Sequence, residues 1–150
     1  MRLWHKDLIP VLPNKQLIGQ WRECCAIAKN LATKGTPNHI LVNKILNYKP
    51  EEFIIYTQKV CTELENRGYK INQNTWNKFQ QNIQEWCGFS DTDFYTASIY
   101  ACPDYIYSNW HNEKYLRICL YNLYEKFICG GISNEEWIRL MGKIPNDMIF

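Results

Sequence analysis

Along most of this chain apolar residues recur every three to four positions, and nowhere do they alternate in twos. That rhythm puts one greasy stripe on each of a series of helices and leaves no strand to pair, so the expected fold is all-α. Asn14 is a natural N-cap, and Leu17, Trp21, Cys24, Ala28 and Leu31 follow it as the core stripe of a first helix. Gln16, Gly19, Gln20 and Glu23 fall on another face of that helix, with Gly19 one turn before Glu23 and no side chain there to crowd the carboxylate. Pro10 and Pro13 deny a long helix to the arm that precedes it and give it an extended or turn-rich path.

Turn chemistry occupies residues 33–38, TKGTPN, and residues 39–46 form a short apolar segment expected to be helical. Pro50, Glu51 and Glu52 suit the first turn of a helix whose inner stripe is Phe53, Thr57, Val60 and Leu64 and which Gly68 ends. Another helix is expected from about Asn74, with Trp76, Phe79, Ile83 and Trp86 inward and Gly88 past its end. Residues 89–110 are irregular and are read as short turns. From about His111 the series Leu116, Leu120, Leu123, Phe127 marks a helix stopped by Gly130 and Gly131. Ser133 with Glu136 is a capping box opening a last helix around Trp137 and Leu140, closed by Gly142. With no internal repeat and no linker, residues 1–150 are expected to form a single domain.

Composition narrows the class. At 46% hydrophobic and 15% aromatic residues, 150 residues can bury a real core, which argues against disorder. The seven cysteines, at 24, 25, 61, 87, 102, 119 and 129, are odd in number and lack a CxxC pair, so they are read as reduced thiols of a cytoplasmic protein. No signal-like apolar run follows Arg2 and Lys6, and no stretch of 18 apolar residues suits a membrane. A net charge of +2 means that a nucleic-acid surface must come from local clustering of basic residues. Cys102, Cys119, Cys129, His5 and His111 lack the spacing of metal ligands, so no metal is expected.

Residues 1–25, MRLWHKDLIPVLPNKQLIGQWRECC, hold the candidate chemistry. An α-amine titrates near pH ~7.7 to 8.0, about two units below a lysine, so an appreciable fraction is uncharged and nucleophilic at neutral pH. Arg2 follows it, and Arg22 and Glu23 stand side by side on the first helix. Arg-Glu pairs on helices are ordinarily solvated surface, and composition and spacing alone leave function open. His5 is either a proton relay beside the amine or a histidine satisfied by local hydrogen bonds, and Trp21 falls on the core stripe. Phe89, Phe94, Tyr95, Tyr100, Tyr105, Tyr107 and Trp110 either stack on an unpaired base or fill a core beneath a loop.

The MRLW start, the LIGQWRE run and the length between them resemble the N-terminal catalytic segment of the pyrimidine-dimer DNA glycosylases of the phage endonuclease V family. CTELENRGYKI at 61–71 and HNEKYLRICLYNLYEKF at 111–127 are similar to later parts of that family, and bacterial relatives share the MRLWH start and the CGGIS stretch. The resemblance implies a compact helical fold and a glycosylase with abasic-site (AP) lyase activity, acting without cofactor on duplex DNA that carries ultraviolet lesions or abasic sites. It implies that the Met1 α-amine attacks C1′ under the damaged base to give a Schiff base. Glu23 then stabilises the cationic sugar and assists β-elimination. Arg2 and Arg22 match phosphate-binding arginines, and Lys15 and Lys114 are further expected DNA contacts.

The chain departs from the family in three places. Gln16 stands where the phage enzyme has a histidine, Ala26 stands where it has an arginine, and Arg2 is too large for ordinary removal of Met1. A monomer is expected. The alternatives are a nucleic-acid-binding module without catalysis and a helical interaction protein.

Overall fold

The structure, a computed structural model, describes residues 1–89 and 105–150. Among these residues there are five α-helices, two 3₁₀ helices and no strand. The helices are α1 (Asn14–Lys34), α2 (Pro50–Asn66), α3 (Gln73–Cys87), α4 (Glu113–Ile128) and α5 (Asn134–Met141). The all-α expectation is met, and the buried side chains make one hydrophobic cluster. No helix among the described residues is long and apolar enough to cross a membrane.

Helix α1 is the centre of the packing, lying against both α2 and α3. Its stripe of Leu17, Trp21, Cys24, Ala28 and Leu31 is buried as expected, together with Ile27. Trp21 meets Trp76 and Phe79 of α3 at ring-centroid distances of 5.9 and 5.8 Å, and Phe79 reaches Phe53 of α2 at 5.9 Å. This aromatic seam ties the three helices together. Phe53, Thr57, Val60 and Leu64 are buried along α2, whose Tyr56 is wholly enclosed. On α3, Phe79 and Ile83 are buried while Trp76 and Trp86 only border the core.

The boundaries follow local chemistry. Gly35 and Gly88 end α1 and α3 in the left-handed conformation that glycine adopts without strain, at φ +71° and +80°. Asn72 and Asn112 cap α3 and α4, their side chains accepting from Thr75 N–H and Tyr115 N–H. The Ser133–Glu136 capping box opens α5.

Two expectations need correction. The N-cap of α1 is Pro13 and not Asn14, which is already the first helical residue. Asn14 is spent on long-range contacts instead: its N–H donates to Glu136 at 2.8 Å and its Oδ1 accepts from Arg67 at 2.9 Å. The apolar segment at 39–46 yields a turn and a 3₁₀ helix at Asn43–Asn47 and not an α-helix, because only Val42 and Ile45 find burial while Ile40 and Leu41 face solvent. Within 89–110, residues 90–104 lie outside the described residues, so nothing is said of Phe94, Tyr95, Tyr100 or Cys102. Tyr107 and Trp110 are buried among Tyr48, Tyr56, His111 and Tyr115. They fill the core, which removes them from any base-stacking role.

The arm leading into α1 is a 3₁₀ helix, Lys6–Val11, that contains Pro10. Arg67, at the end of α2, fastens its exit. The guanidinium donates to the carbonyls of Leu12 at 2.7 Å and Pro10 at 3.1 Å, while Nε pairs with Glu63 at 3.1 Å. One planar fork thereby satisfies carbonyls that Pro10 and Pro13 leave outside any regular ladder.

Candidate active site at the amino terminus

Residues 1–4 run back along α1 so that the chain's first nitrogen comes to rest one residue beyond a carboxylate. The Met1 nitrogen lies 3.9 Å from Glu23 Oε1, and the Arg2 N–H donates to Glu23 Oε2 at 3.0 Å. One carboxylate thus holds the backbone of the second residue with one oxygen and faces the terminal amine with the other. Both groups are reachable: the Met1 side chain is 21% exposed and that of Glu23 35%. Gly19 lies one turn back, and a Cβ built there would meet nothing within 4 Å. Open space therefore lies over Gly19.

Neither of the two thiols that follow Glu23 competes with the amine. Burial pushes the Cys25 thiol up to about 11 and the Cys24 thiol well above its ordinary range, so both are inert at neutral pH. Among the described residues no group of three or more His, Cys, Asp or Glu is placed to hold a metal ion.

The basic residues are arranged unequally. The Arg2 guanidinium is half-buried, 5.3 Å from the centroid of the Trp4 ring. It also faces α4: burial pushes the Tyr115 phenol up, Cys119 adds to this, and Arg2 pulls it back. Arg22 and Lys15 are exposed on α1, Arg22 beside Glu23 and Lys15 about two turns earlier, ~12 Å along the axis. Lys114 is exposed in the first turn of α4, next to Tyr115, whose hydroxyl reaches the arm. Contacts therefore bring Met1, Arg2 and Glu23 together directly, while Arg22 and Lys15 are exposed cations of α1 and Lys114 is an exposed cation of α4.

His5 is 2% exposed, and its Nδ1 accepts the Asp7 N–H at 3.1 Å, capping the 3₁₀ helix. Its ring lies 5.2 Å from that of His111. Burial lowers its pKa, against the pull of Asp7. Of the two roles expected for His5, these contacts are those of local hydrogen bonding.

Sequence reasoning missed the residues that hold the arm. Gln20, expected on a polar face, is 1% exposed and lies under the arm. Its Oε1 accepts the Trp4 N–H at 2.8 Å and its Nε2 donates to the Arg2 carbonyl at 2.8 Å. Tyr56 of α2 donates to the Trp4 carbonyl at 2.6 Å, and Tyr115 of α4 donates to the Leu3 carbonyl at 2.6 Å. A signal for Gln20 was present: it stands three residues after Leu17 and four before Cys24, inside the buried stripe. A carboxamide in such a place has to be satisfied by something buried.

Comparisons with curated proteins and with solved structures give no match. The family model described as pyrimidine dimer DNA glycosylase matches residues 1–77, a span that includes Met1, Arg2, Arg22, Glu23 and the whole of α1 and α2. With half of its length matched, and with the matched half carrying the amine and the carboxylate that meet, the chain belongs to the pyrimidine dimer DNA glycosylase family.

Proposed function

We propose that the protein is a DNA repair glycosylase with AP lyase activity, acting on duplex DNA at pyrimidine dimers and at abasic sites, with the Met1 α-amine as nucleophile. The observation that carries this reading is the 3.9 Å approach of the Met1 nitrogen to Glu23 Oε1 in an open, partly exposed site. The neutral amine attacks C1′ of the deoxyribose beneath the lesion, and the glycosidic bond breaks with its electron pair leaving on the base. Ring opening and loss of the amine proton give the Schiff base. Glu23 stabilises the cationic sugar and iminium, then removes a C2′ proton, and the electrons expel the 3′ phosphate by β-elimination. Water hydrolyses the imine and returns the amine.

A nucleotide must leave the helix for its C1′ to be reached, as in other enzymes that act on bases. Arg22 and Lys15 on α1 and Lys114 on α4 grip phosphates around the site, and Arg2 stands nearest the reacting centre. His5, occupied by the turn it caps, is given no proton-transfer step. Both reacting groups come from one chain, so a monomer suffices.

Ultraviolet-irradiated duplex and an abasic-site duplex are incubated separately with the protein and borohydride. A covalent adduct whose mass maps to the Met1 amine is expected on both. Absence of adduct and of strand cleavage overturns the reading, and gel retardation without an adduct leaves a non-catalytic DNA-binding protein.

A further inference from the structure

The geometry points to Gln20, Tyr56 and Tyr115 as positioning residues that set the register of the N-terminal arm, and through it the place of the reactive amine; this rests on the function proposed above. All three are directed at main chain. The Gln20 carboxamide takes the Trp4 N–H on its oxygen and gives its N–H to the Arg2 carbonyl, both at 2.8 Å. It thereby copies the paired donor and acceptor that a neighbouring strand would offer to residues two apart. Tyr56 stands against both partners, its one hydroxyl proton shared between the Trp4 carbonyl at 2.6 Å and Gln20 Oε1 at 3.0 Å. The Tyr115 hydroxyl takes the remaining carbonyl of this stretch, that of Leu3. The three come from α1, α2 and α4, so the arm is fixed by the packed body of the protein.

Burial makes the register strict. Tyr56 and Gln20 are 0% and 1% exposed, and any slip leaves buried polar groups unpaired. Because these contacts grip peptide groups, the amine's position depends on counting residues along the arm and not on their side chains. A slip of one residue displaces the amine by ~3.3 Å. Misplacement by about 1 Å can cost ~10²-fold in rate, so the clamp belongs to the reactive apparatus although none of its members touches the reacting atoms.

Full-length Tyr56→Phe and Gln20→Leu are compared with wild type in single-turnover borohydride trapping on an abasic-site duplex, below their melting temperatures. The maximal trapping rate is expected to fall ~10-fold for Tyr56→Phe and ~10²-fold for Gln20→Leu, with half-saturating DNA concentration within about twofold of wild type. Amide exchange at Trp4 is read in parallel and is expected to accelerate at least ~10-fold in both variants while the core amides of α2 keep their protection. A purely structural role predicts a lowered melting temperature with the maximal rate unchanged, and that result overturns the proposal. So does a loss carried by DNA affinity alone. Should wild type itself form no adduct, the function proposed above has failed, and Trp4 exchange decides the clamp alone: unchanged exchange overturns it, and accelerated exchange supports it.

Discussion

Glu23→Gln separates the carboxylate's charge from its shape. The carboxamide oxygen can still accept the Arg2 N–H that now bonds Oε2 at 3.0 Å, so the arm should stay in place and stability should change by less than about 1 kcal/mol. What disappears is a negative charge 3.9 Å from the nitrogen proposed to become the iminium. At that separation the interaction of unit charges is worth about 1 kcal/mol in a water-like medium and about 4 kcal/mol at an effective dielectric near 20. Glu23 is 35% exposed in the free protein, which favours the lower figure, but DNA closing over the site moves it toward the upper one. Adduct formation should therefore slow ~5-fold to ~10³-fold, at about 1.4 kcal/mol per decade. β-Elimination loses its general base as well, a further ~10² to 10⁴, which puts strand cleavage below detection while binding persists. Single-turnover trapping and nicking on an abasic duplex measure the two steps, gel retardation measures binding, and circular dichroism checks the fold. Cleavage within about threefold of wild type, in a folded variant, refutes the role given to Glu23.

Placing one glycine before Met1 moves the reactive amine ~3.3 Å from its present place; trapping should be lost and gel retardation kept, and trapping at wild-type rate would count against the amine. Arg22→Ala should weaken DNA binding and lower the slope of log K against log salt by about 1, measured by fluorescence anisotropy across a salt series. Arg67→Met leaves the Leu12 and Pro10 carbonyls and the Glu63 carboxylate without their donor and should cost about 2 kcal/mol in denaturant unfolding. Burial lowers His111 to about 2, with His5 and Lys6 adding to the effect, and its Nδ1, the nitrogen that a second proton would take, already accepts the Lys6 N–H at 2.9 Å. Because the folded value lies below the unfolded ~6.5, the unfolded chain binds the extra proton as pH falls through 6.5. Stability present above that pH is lost by about 1.4 kcal/mol per unit below it, and urea melts from pH 7 to 5 should show a shallower decline in His111→Gln.

The periodic part of the fold was legible because burial of a helix face leaves a trace in the spacing of apolar residues. Leu17 through Leu31, and Phe53 through Leu64, are read correctly for that reason. The segment at 39–46 was not, since eight residues cannot separate a helix from a turn when only two of them find the core. Met1 and Glu23 came from likeness to a family, and their approach within 3.9 Å is a tertiary fact that spacing along the chain does not encode. The clamp was legible only in part: Gln20 falls at the spacing of the buried stripe, but the main chain that lies opposite it, Tyr56 and Tyr115 is not encoded in that spacing. Asn14 shows the converse, a good capping residue drawn off its local task by Arg67 and Glu136 from distant helices.

The family match ends at residue 77, within α3, yet the site depends on residues well beyond it. Tyr115 supplies the hydroxyl on the Leu3 carbonyl, and His111 Nδ1 accepts the Lys6 N–H at 2.9 Å. The Lys6 ammonium, on a residue only 7% exposed, donates to the Ile106 carbonyl at 2.8 Å. Each contact joins the arm to a residue 100 or more positions away. The amine and its carboxylate are 22 positions apart, and α1 holds them near each other through Glu23 and Gln20. The second half of the chain adds to these anchors the hydrogen bond of Tyr115 and the two contacts of Lys6. Substitutions there should therefore register first as slower adduct formation and not as weaker DNA binding, even though none of those residues reaches Glu23.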